Sequence, residues 1–514
     1  MRDLRTSGSV GAQGNPADNN FINSDTMPKN DKVQTNPDAI TRRRFLQTTG
    51  SAAVALPLSV GLLSLLTGCG DSSGEEAPNQ PNIILITADD LGWKDLGCFG
   101  DEQVKTPNLD GMCEDGVQFT NAFVTAPSCS PSRACLATGQ YPHTNGVDGL
   151  VHRYPEKSLP PGTPTLASLL AEAGYRTALQ GKWHIAVEAD PTEFGYDENL
   201  SDVIEQFITN DLDIEISLDF IERNRANPFY LEINSKHNHR QADGSFLMDP
   251  DFPVDPDSIH VPEYWHLPDW PEIREETAMY YSQTRRLDWI VGRVLGKLEE
   301  LDLVGSTLIV FLGDNGAPFP GMKMTQYDRG IGTPLIAWGP SRFRSGKQVK
   351  GLVSTIDLMP TLLDAAGVAI PDWVEGESIL PLLAGEETES TREAIFSEMT
   401  YHVEYLPSRA VRTAGWKYIK NYSDNPVGLD QNADMEWAQQ LAELPDQPWL
   451  APRVEEELYN LAEDPDEQNN LAGDPGSAEM LDHLRGLLRD HMIATNDPFL
   501  DAPFTHDYTP PEEP

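Results

Sequence analysis

The chain has 514 residues and a formal net charge of −44, with 37 Lys and Arg against 81 Asp and Glu. This excess of negative charge excludes a general nucleic-acid-binding protein, because binding to a duplex depends on cationic side chains that neutralise phosphates. A hydrophobic content of 39% is that of a globular protein, and the length suffices for a large domain with a smaller companion.

The N-terminal segment is predicted to be an export signal followed by a tether. Residues 41–47 read Thr-Arg-Arg-Arg-Phe-Leu-Gln, which resembles the twin-arginine (Tat) motif, and an apolar run at 52–66 follows that is too short for a stable membrane span. The run ends in Leu-Thr-Gly-Cys, which resembles a bacterial lipobox with Cys69 as the lipidated residue. A non-lipidated Tat signal that is cleaved nearby is the alternative.

This pattern predicts a signal peptide at residues 1–68 and a short polar tether at 69–80. We expect the Tat translocase to export the protein to the periplasm or the cell surface, where a lipid would anchor it to the membrane.

Short apolar runs alternate with helical patterns over residues 81–385. A continuous apolar run at 82–87 is typical of a strand buried on both faces of a parallel sheet. Further strands are predicted at 176–179, 229–233 and 307–312, and helices at 165–173, 277–301 and 355–363. The alternation predicts an α/β fold with a large, mostly parallel sheet sandwiched by helices.

Residues 386–500 are predicted to form a smaller C-terminal α+β domain. A strand is predicted at 409–418, a second apolar segment lies at 457–461, and a helix is predicted near 478–491. The tail at 501–514 is acidic and Pro-rich, and we expect it to be loosely held.

The most informative run extends from Cys129 to Gly139 and reads Cys-Ser-Pro-Ser-Arg-Ala-Cys-Leu-Ala-Thr-Gly. Pro131 suits the first turn of a helix, and Arg133 lies one helical turn after Cys129 on the same side. The side chain at 129 would then stand at a helix N-terminus, which favours an anion such as sulfate. A small buried cysteine without a function is the alternative for Cys129 taken alone.

This run resembles the signature of the type I sulfatases of the alkaline phosphatase superfamily. In that family the cysteine of Cys-x-Pro-Ser-Arg is oxidised to formylglycine by a maturation enzyme. The resemblance therefore implies a sulfuric ester hydrolase with an alkaline phosphatase-like fold and formylglycine derived from Cys129. The segments 145–150, 314–320 and 457–471 are similar to the N-sulfoglucosamine sulfohydrolase (sulfamidase)-like group.

Two pairs of oxygen-bearing side chains follow predicted strands: Asp89 with Asp90, and Asp314 with Asn315. The carboxyl ends of parallel strands are where open α/β sheets place their sites, and Ca²⁺ and Mg²⁺ prefer oxygen ligands. Either pair alone could instead be an N-cap or a turn. The resemblance implies that both pairs, together with Cys129, bind Ca²⁺, with Mg²⁺ as the alternative.

The resemblance also implies catalytic roles for three cations and a histidine. Lys182 and His184 lie in Gly-Lys-Trp-His, where the lysine would hold sulfate and the histidine would act as a base. Lys323 follows Asp314 by nine residues, and with Arg133 it would offset charge on the sulfuryl oxygens.

A histidine after the predicted strand at 229–233 is expected to contact the sulfate and the leaving group. The segment reads Ser-Lys-His-Asn-His, and Asn238 stands where the family commonly has Pro. Either His237 or His239 could therefore act; we expect His239 to protonate the leaving group and His237 to contact the substrate.

By this resemblance, a metal-activated hydroxyl of the formylglycine hydrate attacks sulfur and forms a covalent sulfo-enzyme intermediate, which then releases sulfate. The substrate would be a sulfate ester or sulfamate of a sulfated oligo- or polysaccharide, such as a heparan-like glycosaminoglycan or ulvan. Two alternatives stay open. One is a phosphonate monoester or phosphodiester hydrolase of the same superfamily, and the other is a carbohydrate-binding lipoprotein without catalysis.

His402 and Glu404, in the segment Tyr-His-Val-Glu, are predicted to hydrogen-bond the sugar, and a solvated loop is an equal alternative. Three further cysteines, Cys98, Cys113 and Cys135, make a full disulfide framework unexpected because their number is odd. A bridge between Cys98 and Cys113 has only their proximity in the sequence in its favour.

Overall fold

The computed structural model describes residues 80–506, apart from 188, 202–211, 242, 341–342, 344–345, 385, 388–391 and 446. The predicted signal peptide, Cys69, most of the tether and the end of the tail (507–514) lie outside the described residues. All described residues belong to one compact unit, Glu75–Pro514. In this part of the chain no helix is both long and apolar enough to cross a membrane.

The described strands form one large sheet and two smaller ones. In chain order they are β1 (Asn82–Ala88), β2 (Val117–Phe119), β3 (Ala122–Phe123), β4 (Arg176–Gly181), β5 (Glu198–Asn199), β6 (Phe229–Ser235), β7 (Thr307–Gly313), β8 (Leu335–Trp338), β9 (Lys347–Val349), β10 (Val353–Ser354), β11 (Ala394–Tyr401), β12 (Tyr405–Thr413), β13 (Trp416–Asn421) and β14 (Glu456–Asn460).

The described α-helices lie between these strands in the chain, apart from the last one, which follows β14. They are α1 (Pro107–Asp115), α2 (Cys129–Thr138), α3 (Pro142–Asn145), α4 (Leu166–Glu172), α5 (Ile214–Asn224), α6 (Pro271–Glu300), α7 (Asp328–Ile331), α8 (Leu358–Ala365), α9 (Leu380–Leu383), α10 (Glu436–Ala442) and α11 (Ala478–Ala494).

The large sheet has eight strands in the order β5–β4–β6–β1–β7–β8–β2–β9. The first five are parallel, as are β2 and β9, whereas β8 runs antiparallel to both of its neighbours. The predicted large, mostly parallel sheet is thus confirmed. Its one antiparallel strand was not predicted.

Strand β1 shows why the central strands read as continuous apolar runs. Ile84 and Ile86 join the core cluster on one face of the sheet, which includes residues of α6. Ile83 and Leu85 join the cluster on the other face, which includes residues of α4 and α8. Both faces are covered, so neither needs polar side chains.

The C-terminal part contains the antiparallel sheet β11–β12–β13–β14, with α11 packed on one face. The prediction of one strand over 409–418 is wrong, because this stretch spans the end of β12, a tight turn and the start of β13. In the turn, Trp416 N–H donates to Thr413 Oγ1 (3.1 Å). The predicted boundary between 385 and 386 falls between α9 and β11 and stays a prediction.

A buried polar cluster joins α3 to this C-terminal sheet. His143 Nδ1 lies 2.5 Å from Glu398 Oε2, and Arg409 Nε lies 2.5 Å from Asp497 Oδ2 and 3.7 Å from Glu398 Oε2. Burial alone would raise the pKa of Glu398, but Arg409 and His143 outweigh it and lower that pKa. Glu398 therefore carries the charge that balances both neighbours.

Replacing Glu398 with alanine is expected to lower the free energy of unfolding by about 3–5 kcal/mol, because it removes one of the two buried carboxylates, Glu398 and Asp497, that balance Arg409 and His143. Denaturant unfolding would measure the loss. Glu393→Ala is the matched control, since that glutamate precedes the same strand and is exposed; its loss is expected to stay within about 0.5 kcal/mol. Equal effects of the two variants would contradict this role of Glu398.

Candidate active site

Cys129 is the first residue of α2 and is 1% exposed. The helix begins here because the backbone of Ser128 is extended and Ser132 N–H donates to its carbonyl oxygen (3.0 Å). Burial and the charge of Asp89 raise the pKa of the Cys129 thiol well above its ordinary value. The unmodified cysteine is therefore a protonated thiol and a poor nucleophile.

The two oxygen-bearing pairs meet beside this cysteine. Strands β1 and β7 are neighbours in parallel register, with Ala88 opposite Gly313, so the residues that follow them lie side by side. Asp90 N–H donates to Asp314 Oδ1 (3.0 Å), and Asn315 Nδ2 donates to Asp90 Oδ1 (2.7 Å). Potential ligand atoms within 4.8 Å of one another come from Asp89, Asp90, Cys129 and Asp314.

Two residues at the site have left-handed backbones that non-glycine residues rarely adopt, Asp90 (φ 58°) and His184 (φ 61°). The hydroxyl of Tyr280 supports the turn at Asp90, since it lies 3.2 Å from the Asp90 carbonyl oxygen and accepts from Gly92 N–H (3.1 Å). The same hydroxyl lies 2.7 Å from Asp95 Oδ2. This network fixes the backbone turn from which the Asp90 side chain extends.

Each carboxylate of the cluster has a cationic partner within hydrogen-bond distance. The pairs are Lys182 Nζ with Asp89 Oδ2 (2.7 Å), Lys323 Nζ with Asp90 Oδ1 (2.8 Å) and Arg133 Nε with Asp314 Oδ2 (2.8 Å). Three cations therefore match the three carboxylates of the cluster.

The pKa values show that the carboxylates differ in their surroundings. Burial would raise the pKa of Asp89, but Lys182, His239 and Arg133 hold it well below its usual range. Burial raises the pKa of Asp314 to about 7, because the lowering effect of Arg133 is smaller than the effect of burial. The negative charge of Asp89 raises this pKa further. A further positive charge near Asp314 would favour its ionised form.

The residues of the cluster fit a hard divalent cation. Among the described residues, nothing donates a hydrogen bond to Asn315 Oδ1, although this oxygen is buried. An unpaired buried amide oxygen is costly, and coordination to a cation would satisfy it. With the neighbouring carboxylates it provides the oxygen-rich donor set that Ca²⁺ and Mg²⁺ prefer.

A cavity of about 520 Å³ opens above the cluster. Five predicted catalytic residues line it: Cys129, Lys182, His184, His239 and Lys323. Sequence reasoning missed most of the remaining polar lining, which consists of His152, Arg153, Lys236, Arg240, Asp243, Gln431 and Asp434. None of these residues belongs to a motif that the sequence revealed, although Lys236 adjoins the histidine segment and His152 closely follows Gly149-Leu150.

His184 is paired with His152, whose Nδ1 lies 2.7 Å from His184 Nε2. Burial and the nearby charge of Lys182 lower the pKa of His184 well below its ordinary value and that of His152 to about 4. Both rings are therefore neutral near pH 7, and a neutral imidazole can accept a proton.

The structure places His239, and not His237, on the cavity wall. His239 Nδ1 lies 2.6 Å from the Arg240 carbonyl oxygen, so it carries the hydrogen of that bond and leaves Nε2 3.8 Å from Asp90 Oδ2. His237 is buried, with Nδ1 2.8 Å from Ser235 Oγ. The geometry thus gives His237 no direct route to a substrate in this cavity.

The structure also separates His402 from Glu404. His402 is 2% exposed, lines the cavity and has Nδ1 2.8 Å from Ser128 Oγ, next to Cys129. The side chain of Glu404 is exposed and lies outside the cavity lining. Only His402 of this predicted pair is placed to contact a molecule in the cavity, and its role stays a prediction.

The sequence matches the family model described as Sulfatase over residues 81–368, and the model described as N-sulphoglucosamine sulphohydrolase, C-terminal, over residues 322–442. The chain belongs to the sulfatase family. The second match crosses the predicted boundary between residues 385 and 386.

Similar proteins agree with this assignment. This sulfatase is 31% identical to human N-sulphoglucosamine sulphohydrolase, over 82% of this chain and 92% of the relative. It is 31% identical to an ulvan-active sulfatase of Formosa agariphila, over 77% and 76% of the two chains. A solved structure of a 2-O GAG sulfatase superposes with a TM-score of 0.59 at 25% identity, over 83% of this chain and 95% of that one. The predicted family, fold class and sulfatase activity are thereby confirmed.

Proposed function

We propose that this sulfatase is an exported enzyme that hydrolyses sulfate ester or sulfamate groups of a sulfated carbohydrate. The observation that carries the proposal is the position of Cys129 among cationic side chains in a cavity of about 520 Å³, which has room for a sugar residue. The relatives support the substrate class, since one is named a sulphohydrolase of N-sulphoglucosamine and another is named ulvan-active. Degradation of a sulfated polysaccharide is the expected biological setting.

Residue 129 would act as formylglycine, which a maturation enzyme makes from Cys129. Its hydrate supplies the oxygen nucleophile for attack on sulfur, with a covalent sulfo-enzyme intermediate. The raised pKa of the thiol supports this route, because the unmodified side chain would offer little thiolate.

Four residues, Asp89, Asp90, Asp314 and Asn315, would hold Ca²⁺ or Mg²⁺. When bound there, such an ion would lower the pKa of a hydroxyl and offset negative charge on the sulfuryl oxygens. The three cations that pair with the carboxylates, Lys182, Lys323 and Arg133, supply N–H donors beside Cys129. These donors would stabilise the negative charge that develops on the sulfuryl oxygens in the transition state.

Two histidines would move protons. His239 directs Nε2 to the cavity and would protonate the leaving oxygen or nitrogen. Burial lowers the pKa of free His239 to about 4, and the negative charge of a bound sulfate group would raise it towards the value that an acid needs. His184, held neutral, would remove the proton of the second hydroxyl at residue 129, which releases sulfate.

The export proposal depends on the N-terminal sequence. The twin-arginine pattern at residues 41–47 and the lipobox-like Cys69 support transport by the Tat translocase and a lipid anchor at the periplasmic or cell-surface side of the membrane. Fractionation of cells that express the full chain, with Cys69→Ala as the matched variant, would test both steps.

The proposed activity is tested by sulfate release from a panel of defined substrates. The panel contains N-sulfated and O-sulfated glucosamine, ulvan oligosaccharides, a phosphonate monoester and a phosphodiester. We expect release of sulfate from at least one saccharide, at a rate well above that of any phosphorus substrate. Faster turnover of the phosphorus substrates would favour a phosphonate monoester or phosphodiester hydrolase. Saccharide binding without turnover, by protein with verified formylglycine, would favour a carbohydrate-binding lipoprotein without catalysis.

His402→Ala is expected to lower kcat/KM on the natural saccharide by about 10- to 100-fold, because a hydrogen-bonding group of the sugar would be left unpaired. The loss on a small aryl sulfate should be much smaller. Glu404→Ala is the matched control and is expected to change neither value, since its side chain is exposed outside the cavity. Equal losses on both substrates would show that His402 does not read the sugar.

A further inference from the structure

Two cysteines outside the active site lie unusually close together. The sulfur atoms of Cys98 and Cys113 are 2.7 Å apart, and both residues are partly buried. Carbon atoms in van der Waals contact lie about 3.5–4.0 Å apart and sulfur is no smaller than carbon, whereas a covalent S–S bond measures about 2.05 Å. The pair is thus closer than two independent thiols would lie.

The backbone brings these side chains together through bonds that do not involve sulfur. Cys98 belongs to the 3₁₀ turn Gly97–Phe99, and Cys113 belongs to α1. Gly97 N–H donates to Thr106 Oγ1 (3.0 Å), and Cys98 N–H donates to Asp110 Oδ1 (2.8 Å). These bonds fix the turn against the helix, so the approach of the two sulfur atoms is a property of the fold.

The surroundings of the pair do not favour a metal site, which is another common use of two thiols. Among the described residues, the groups of side chains that could hold a metal ion do not include this pair. The other two described cysteines, Cys129 and Cys135, lie together on α2, where Cys135 Sγ accepts a hydrogen bond from Asn145 Nδ2 (3.7 Å).

We propose that Cys98 and Cys113 form a disulfide bond in the exported protein. In the reaction an oxidant of the disulfide class, R–S–S–R, accepts the two electrons: one Sγ–Sγ bond forms, the oxidant's S–S bond breaks, and two R–SH leave with the two thiol protons. The partial exposure of both cysteines gives such an oxidant access. Disulfides persist in the oxidising compartments that lie beyond the cytoplasm.

The bond would fasten a segment that supports the active site. The turn Gly97–Phe99 follows Asp95 closely in the chain, and Asp95 holds the Tyr280 hydroxyl that contacts the Asp90 carbonyl oxygen. Closing this short loop restricts the unfolded chain and stabilises the folded one. The disulfide would therefore act on stability, whereas Cys129 acts in the chemistry.

Peptide mapping of the exported, catalytically active protein tests the proposal. The protein is isolated with N-ethylmaleimide present and digested without reductant. We expect a cross-linked peptide pair joined through Cys98 and Cys113, lighter by two hydrogen atoms than its reduced peptides and absent after reduction. Recovery of both cysteines as maleimide adducts, even after incubation of the purified protein with oxidised glutathione, would overturn the proposal, as would a bond of either cysteine to another partner.

Thermal unfolding gives a second, independent readout. Reductant is expected to lower the Tm of the wild-type protein by about 3 °C, the shift expected for opening one short loop in a chain of this size. The double variant Cys98→Ser/Cys113→Ser should show no response to reductant, whereas Cys135→Ala should respond like the wild type. A wild-type Tm that ignores reductant would contradict the stabilising role, and if the double variant does not fold, the peptide map of the wild type decides.

Discussion

Replacing Cys129 with alanine is expected to abolish sulfate release, with kcat falling on the order of 10⁴-fold or more, as for the loss of other enzyme nucleophiles. Alanine cannot be converted to formylglycine, so the site would have no nucleophile in reach of a bound sulfate group. The thiol sulfur lies 3.7 Å from Asp90 Oδ1, inside the cluster of carboxylates and cations. Sulfate release measures the activity, and the Tm shows that the fold is retained.

Two variants distinguish this role from a structural one. Cys135→Ala removes a buried cysteine of the same helix that does not line the cavity, and its activity should stay near that of the wild type. Cys129→Ser keeps one hydroxyl but lacks the second hydroxyl of the formylglycine hydrate. A sulfated serine could not expel sulfate by forming an aldehyde, so at most one turnover is expected. Peptide mass spectrometry that finds only unmodified Cys129 in a fully active preparation would refute the mechanism.

The centre of the site could be predicted because its determinants are local. The apolar runs that become β1 and β7 are buried on both faces, and parallel pairing of Ala88 with Gly313 brings the following residues together. Pro131 and the helical spacing of Arg133 likewise place residue 129 at a helix N-terminus. Each of these properties can be read from a short stretch of sequence.

The walls of the cavity could not be predicted, because they come from loops whose positions depend on the tertiary fold. His152 and Lys236 carry no spacing that indicates contact with residue 129. The choice between His237 and His239 depends on which ring turns outward after β6, and only hydrogen bonds to Ser235 and to the Arg240 carbonyl oxygen reveal it.

The hairpin at β12 and β13 was missed for a different reason. Residues 409–418 contain no Pro, Asn or Asp, which are common turn residues, so the pattern alone does not show where the first strand ends. A turn between two antiparallel strands needs only a few residues, and Gly415 was the single local signal.

Asp314→Ala is expected to lower the metal content and the rate together, with kcat falling about 100-fold or more. Without metal, each cation of the cluster is paired with a carboxylate, so the cluster would attract a sulfate anion less strongly. A divalent ion makes the cluster positive, and Asp314 supplies one of its oxygen ligands while it accepts from Arg133 Nε and Asp90 N–H. Removal of the ion by a chelator should therefore stop turnover, whereas its effect on the stability of the fold should be smaller.

Asp314→Asn removes the ligand charge with the smallest change of shape, and its one amide oxygen can still accept one of the two bonds, from Arg133 Nε or from Asp90 N–H. This variant should fold like the wild type and bind less metal, as measured by elemental analysis after dialysis. Asp434→Ala is the control, since this exposed aspartate lines the cavity away from the cluster and should leave the metal content unchanged. Full activity in rigorously metal-free protein, or full metal content in Asp314→Ala, would rule out this cluster as the site of a catalytic ion.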